Sequence, residues 1–404
     1  MHIYIVGAGI AGLEAAITSA SMGINTTLFD NQLGGNFVNK TCIPTKILLE
    51  ITKRRVEYRQ LVKEAKFKIT SIKSKYEKLL AANGIDFVNE KCLVSDKEIR
   101  LKDRKIELGQ NKLILCTGSK PLKPSFIGSE YLRYSDELLN LEELPEKILI
   151  IGGGPEGLEL AEIFYNLGCK VTIIEKKEKI LYLEDEDISE IVLRSLRDRG
   201  IHVFLNTEVK GIEKDKDFRV ICGKEEVRAD LVISCIGWIP NKDSLFLDNL
   251  NVNAYLMVKK NIFGAGDLVG AGIANVAKSQ GRIAALNALG KHIKFRKKAY
   301  PYVIHTEHKV ASFGLKEKEA KNFKVVKGEL DIGIKSLIED SKSYIKIICD
   351  AEGHIVGASC FSKRADEIIN MLYALSETGV KIDSLKSFIP SSPSYIEDAF
   401  DWLN

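Results

Sequence analysis

The chain has 404 residues, 45% of them hydrophobic and 28% charged, which is a globular composition too long for a single core. Lys and Arg number 59 against 55 Asp and Glu, a net charge of +4 spread over the whole length, so no concentrated basic face points to nucleic acid. No apolar run approaches 18 residues, so no membrane span is expected.

The chain opens with MHIYIVGAGI, which runs straight into a glycine loop and has neither a basic n-region nor a small-residue cleavage site, so no signal peptide is expected. Residues 3–30 form the pattern strand, Gly7-x-Gly9-x-x-Gly12, helix, second strand ending at Asp30. Each part has a mechanical reason. The first glycine makes the tight turn, the second lets a pyrophosphate approach the backbone, and the third lets the helix pack on the strand. The pyrophosphate then meets a helix N-terminus, and the acid accepts hydrogen bonds from a ribose diol.

Residues 33–46, LGGNFVNKTCIPTK, have the outline of a redox-active disulfide loop but carry one cysteine, Cys42. Residues 47–82 have few breakers and many charges and are read as one or two solvent-facing helices. LILCTGSKP, residues 113–121, is a strand ending in Thr117-Gly118-Ser119.

The first plan then repeats. ILIIGGGPEGLELAEIFYNLGCKVTIIE carries Gly152, Gly154, Gly157 and Glu175, and in both copies the first glycine and the acid stand 23 residues apart. One such glycine pattern is weak evidence; two in a strand, helix, strand frame, each with its acid, are strong. Two dinucleotide sites in one chain suggest a flavin that stays and a pyridine nucleotide that exchanges. Downstream, VISCIGWIPN is a further strand with a glycine turn, and Gly266-Asp267 ends a strand before an Ala-rich helix, where a carboxylate suits a ribityl hydroxyl.

The order of these motifs resembles the FAD-dependent pyridine nucleotide-disulfide oxidoreductases, most of all the dihydrolipoamide dehydrogenase branch, over nearly the whole chain. The resemblance implies an α/β fold of two Rossmann-like domains, for FAD and NAD, plus a C-terminal α+β interface domain that makes a homodimer. It divides the chain into 1–117 and 240–295 for FAD, 118–239 for NAD, and 296–404 for dimerisation. It also implies that Gly7, Gly9, Gly12, Asp30, Gly35, Thr117, Gly118 and Asp267 bind FAD. Gly152, Gly154, Gly157 and Glu175 would bind NAD(H). Glu175 favours NAD, with NADP as the alternative because Lys176 and Lys177 follow it.

Against the family's frame two parts are missing. Phe37 stands at the first cysteine of the redox loop, leaving Cys42 at the flavin-side position with Pro44 and Lys46 in register. Near the C-terminus SSPSYIED puts Ser392 where the family has a His-Pro histidine, keeping Pro393 and Glu397, and no histidine follows His354. A serine cannot relay protons near neutral pH as imidazole does.

Pro155-Glu156 replaces the usual nicotinamide gate. Lys46 and Glu159 are expected to pair, and with Cys42 they form the catalytic set. Most of the eight cysteines sit in apolar, strand-like runs, which together with the absent signal peptide suggests a cytoplasmic protein with reduced thiols. No metal site is expected from His305 and His308. The function implied is transfer of hydride from NAD(P)H to FAD and on to an unknown acceptor. Alternatives are a single-cysteine thiol or peroxide reductase cycling through Cys42, and a non-enzymatic FAD-binding scaffold or sensor.

Overall fold

The computed structural model describes all residues except 55–56, 224, 248, 321, 332 and 402–404. The chain divides into two compact units, one of residues 1–124, 134–143 and 236–297, the other of residues 125–133, 144–235 and 298–404.

The first unit is built on a six-stranded sheet, in the order Met257–Lys259, Ile262–Gly264, Lys112–Leu115, His2–Val6, Asn25–Phe29, Asp86–Val88. All neighbours pair in parallel except the first two. Its central strands are apolar on both sides because both faces are covered. Ile3, Ile5, Leu28 and Ile114 pack against Ala11, Ala15 and Ala16 of the helix Ile10–Ser21 and Ala277, Ala284 and Ala285 of the helix Ala274–Ala288. Those two helices approach so closely that a Cβ on Gly281 would stand 2.1 Å from the Ala11 carbonyl oxygen. On the other face Val6, Phe29, Leu113 and Leu115 meet Val94, Ile99 and Leu101 of a small second sheet.

The stretch expected to be one or two solvent-facing helices forms two, Cys42–Ile51 and Tyr58–Ala82; residues 55 and 56 lie outside the described residues. The shorter helix is not solvent-facing: Pro44, Thr45, Leu48, Leu49 and Ile51 are buried. Its proline sits in the first turn, where the missing N–H has no intrahelical partner to lose. The long helix matches the expectation, burying only Leu61, Ala65, Ile69 and Leu80 along one stripe.

The second unit repeats the parallel plan with strands His202–Phe204, Lys170–Ile174, Lys147–Ile151 and Leu231–Ser234 as neighbours. It also holds a five-stranded antiparallel sheet, in the order Tyr302–Ile304, Lys309–Gly314, Ile355–Ser362, Tyr344–Cys349, Lys324–Glu329, covered by the helix Ala365–Glu377. Residues 184–187 dock on this sheet through buried charge. Lys346, 1% exposed, lies within 2.7 Å of the Asp187 carboxylate, 2.6 Å of Glu317 and 3.3 Å of Asp185. Beside it Glu184 accepts from Lys316 at 2.7 Å, from Ser312 at 2.9 Å and from the Tyr302 hydroxyl. Among the described residues no helix is long and apolar enough to cross a membrane.

Candidate functional site

In the first unit the site grows from the turn after His2–Val6. Gly7 has φ +104°, and a Cβ there would stand 2.1 Å from the Cys116 carbonyl oxygen; on Gly12 it would stand 1.8 Å from the oxygen of Gly7. The chain's own packing therefore demands both glycines. Gly9 is different. Its backbone is extended at φ −73° and ψ −174°, and a Cβ there meets nothing within 4 Å. Glycine at this position keeps a surface smooth for a ligand rather than relieving a clash. The helix Ile10–Ser21 begins here with no side-chain cap and no acid in its first turn, so its first N–H groups are available to an anion.

Asp30 closes the turn from the neighbouring strand. Its Oδ2 accepts from the Ala8 N–H at 2.7 Å and its Oδ1 from the Gln32 N–H at 3.0 Å. Burial pushes its carboxyl above the usual range, against these hydrogen bonds, which favour the anion. Gly35, at φ +53°, lies flat on the turn: a Cβ there would be 2.8 Å from Gly9 Cα. The Gly34 N–H donates to Ala8 O at 2.9 Å.

The remaining residues assigned to this cradle join it through a chain of polar contacts. Thr117 Oγ1 donates to Asn241 O at 2.7 Å, and the Asn241 N–H returns a bond to Gly118 O at 2.9 Å. Ser119 Oγ donates to Asp267 Oδ2 at 2.8 Å, while Asn36 Nδ2 donates to Ser119 O at 2.7 Å. The turn before Asp267 is held by the Gly266 N–H donating to Gln280 Oε1 at 2.9 Å, and Gln280 is buried. Sequence reasoning missed Asn36, Asn241, Gln280 and the role of Ser119. Gln280 had a signal: it is a polar residue on the stripe of Ala277, Gly281 and Ala284.

In the second unit the same geometry recurs. The Gly152 N–H donates to Ile174 O at 2.8 Å as the Gly7 N–H does to Phe29 O at 2.8 Å. A Cβ on Gly157 would stand 2.0 Å from Gly152 O, and one on Gly154 meets nothing within 4 Å. Glu175 accepts from the Gly153 N–H through Oε2 at 2.7 Å and from the Lys177 N–H through Oε1 at 2.7 Å. These are the positions that Asp30 engages, one residue after the first glycine and two after the acid. The departures are Pro155, which starts the helix Pro155–Asn166, and Glu156 in its first turn. Burial, aided by the charge of Glu156, pushes the Cys235 thiol well up.

The redox loop folds as the short helix Gly35–Asn39 carrying a half-buried Phe37, a turn at Lys40 and Thr41, and the helix Cys42–Ile51. Cys42 is its first residue and Lys46 stands one turn on, so the two share a face. Thr41 Oγ1 lies 3.8 Å from Cys42 Sγ. All eight cysteines are free thiols, and Cys42 alone among them is not buried.

Lys46 belongs to the first unit and Glu159 to the second, where Glu159 is buried and accepts the His305 N–H at 3.0 Å. His308 stacks on Phe361 at 5.3 Å and contacts Ser341 Oγ at 3.1 Å. Ser392 is exposed and joined to Pro393 by a cis peptide bond. Glu397 forms a reciprocal cap with Ser394: the Glu397 N–H donates to Ser394 Oγ at 3.0 Å, and the Ser394 N–H to Glu397 Oε2 at 3.3 Å.

Two glycine turns of one design, each closed by an acid and each at the carboxyl ends of a parallel sheet, define an α/β protein with two dinucleotide cradles in one chain. The chain belongs to the pyridine nucleotide-disulphide oxidoreductases: residues 1–282 match that family and residues 300–403 match its dimerisation domain. It is 28% identical to the dihydrolipoyl dehydrogenase of Bacillus subtilis, over 100% of this chain and 98% of that protein. It is 31% identical to the dihydrolipoyl dehydrogenase of Buchnera aphidicola subsp. Schizaphis graminum, over 98% and 93%.

Among solved structures, the Cu(II) complex of the HOCl-induced flavoprotein disulfide reductase RclA from Escherichia coli matches with a TM-score of 0.92 at 25% identity, covering 99% of both chains. The family's members are oxidoreductases that use FAD and NAD(P)H. The residues present fit those groups: Gly9 and Gly154 leave backbone bare at the two helix starts, Asp30 and Glu175 each present an ordered carboxylate closing the turn, and the second helix differs in carrying Glu156 in its first turn.

Proposed function

We propose that the protein is an FAD-dependent NAD(P)H oxidoreductase that passes electrons to an acceptor other than a dithiol-exchanging disulfide, and that it works as a cytoplasmic homodimer. Bound FAD supplies the two-electron chemistry that links the pyridine nucleotide to the acceptor. The residues supply position and charge. Gly7, Gly9, Gly12 and the uncapped end of the helix Ile10–Ser21 receive the flavin's pyrophosphate, Asp30 its ribose, and Asp267 a ribityl hydroxyl, with Gly35, Thr117 and Gly118 lining the approach. Gly152, Gly154, Gly157 and Glu175 receive the pyridine nucleotide. Cys42, Lys46 and Glu159 are assigned to the flavin side as the catalytic set.

One observation carries the reading of the acceptor: Cys42 is the sole thiol that is not buried, and by the family resemblance it stands in a loop whose first-cysteine position is Phe37. Dithiol exchange needs two sulfurs within reach of each other, and no second accessible one is present to attack an external disulfide. Dimerisation is supported by the match of residues 300–403 to the family's dimerisation domain.

The test is an anaerobic titration of the purified flavoprotein with NADH and then NADPH, followed by quinones, dioxygen, dyes and small disulfides as acceptors. Bleaching of the flavin by a pyridine nucleotide and reoxidation by a quinone, dioxygen or a dye are expected. A flavin that neither nucleotide reduces would leave a binding scaffold in place of an enzyme.

A further inference from the structure

The acid of the second cradle is followed by two lysines, the residue type that would draw the 2′-phosphate of NADP(H). Both are already engaged. Lys176 Nζ lies 2.5 Å from Glu208 Oε1, and Lys210 meets the other oxygen of the same carboxylate, so that the two ammonium groups hold the Glu208 carboxyl down to about 2. Lys177 Nζ stands 4.6 Å over the ring of Tyr182.

Glu208 owes this place to the backbone. The Glu175 N–H donates to Phe204 O at 2.8 Å, the Thr207 N–H to Glu175 O at 3.0 Å, and the Asn206 N–H to Lys177 O at 2.9 Å. Asn206 turns the chain at φ +51°. The segment that bears Glu208 is therefore zipped to the segment that bears the ribose acid and its lysines, at the end of the sheet where the strands Lys147–Ile151, Lys170–Ile174 and His202–Phe204 finish.

We propose that Glu208 is a specificity-determining residue of this site: it occupies Lys176 and Lys210 and adds a second carboxylate on the segment zipped to that of Glu175, so that the free 2′-hydroxyl of NAD(H) is accepted and the 2′-phosphate of NADP(H) is disfavoured. The proposal rests on the reading of residues 147–235 as the pyridine-nucleotide cradle, and it assigns that cradle's preference to a residue outside the glycine motif. Removing the carboxylate releases two cations and deletes one repulsive charge, both of which favour a divalent phosphate. The pairs are exposed, with side chains 40% to 70% open, so they contribute little to folding and the substitution is a mild one.

The experiment measures equilibrium binding of NAD+, NADP+, 5′-AMP and 2′,5′-ADP to the purified flavoprotein by calorimetry. Wild type is compared with Glu208→Gln, Glu208→Lys and the control Glu146→Gln. Glu146 pairs with Lys170 at 2.8 Å, at the opposite end of the same strands. Glu208→Gln is expected to bind NADP+ and 2′,5′-ADP roughly tenfold more tightly, with NAD+ and 5′-AMP changed by less than about twofold. Glu208→Lys should gain more, Glu146→Gln should change neither ratio, and the gain should shrink as salt rises.

Unchanged NADP+ affinity in Glu208→Gln and Glu208→Lys, with NAD+ binding and melting curves intact, overturns the proposal. Wild type that binds none of the four probes would instead overturn the cradle reading, and the proposal with it.

Discussion

Alanine at Gly9 and alanine at Gly12 separate the two tasks that glycine performs in the first turn. A Cβ on Gly12 would stand 1.8 Å from Gly7 O, where ordinary contact begins near 3.4 Å, so the helix Ile10–Ser21 would have to retreat by about 1.6 Å. It has little room to do so, because its Ala11 carbonyl already fills the space over Gly281. Overpacking of this kind costs up to about 3 kcal/mol, or a fall in Tm of roughly 6–12 °C for a unit of this size.

Gly9 meets no such wall. Its φ and ψ suit any residue, so Gly9→Ala should leave the apoprotein within about 1 kcal/mol of wild type. FAD occupancy should nevertheless drop, since the methyl group lies where the pyrophosphate approaches. The second cradle is an internal replicate, with Gly157→Ala against Gly154→Ala read by NAD(H) binding. The assay is circular-dichroism melting of apo and reconstituted protein, with flavin stoichiometry from absorbance. Equal stability losses in Gly9→Ala and Gly12→Ala, or a Gly12→Ala protein that melts with wild type and keeps its FAD, would refute the reasoning.

Turnover of dihydrolipoamide or lipoamide with NAD(H) should be negligible, since loss of general acid/base help alone costs about 100- to 10,000-fold. Activity within tenfold of an ordinary dihydrolipoamide dehydrogenase would show that the missing thiol and histidine had been wrongly assigned. If Cys42 lies against the flavin as a thiolate, the oxidised protein should show a broad long-wavelength absorbance that Cys42→Ser abolishes while NADH-to-dye activity persists. Identical spectra at every pH, with equal activity towards every acceptor, would reduce Cys42 to packing.

Lys346→Ala should destabilise the protein by about 1–3 kcal/mol in chemical denaturation, because it strands the buried Asp185 carboxylate, while Asp187 and Glu317 stay partly open to water and keep Lys327. A loss under 1 kcal/mol would mean that water already serves those acids. The same cluster sets an acid limit. Burial pushes the Asp187 carboxyl up, but the bonds from Lys346 and Tyr344 outweigh it and hold it below the usual range, and Lys346 and Lys327 hold Glu317 low. Folded values below unfolded ones mean stabilisation present above about pH 4 and lost as pH falls through the folded values. The Tm of wild type should therefore decline below about pH 4, and Lys346→Ala should flatten that decline.

The cradles were legible in the sequence because their geometry is local. Gly7, Gly12 and Asp30, like Gly152, Gly157 and Glu175, meet within one strand, turn, helix and returning strand, where steric limits on a short chain leave few arrangements. Repetition of that unit pointed to two dinucleotide sites, while the C-terminal α+β domain was read only from the family resemblance. The burial of residues 47–51 was harder to read, since it depends on the packed chain and the charges that follow them in the sequence suggested solvent.

What joins Asn36 to Ser119 and Ser119 to Asp267 spans 83 and 148 residues. Nothing in local spacing encodes such contacts; they exist only once the sheet order brings the strand ends together. The pairing of Lys346 with residues 185 and 187, and of Glu208 with Lys176, belongs to the same category. A lysine in the sequence is an exposed cation by default, and only the packed chain shows which ones are buried against carboxylates and which are held at the surface by a neighbouring carboxylate.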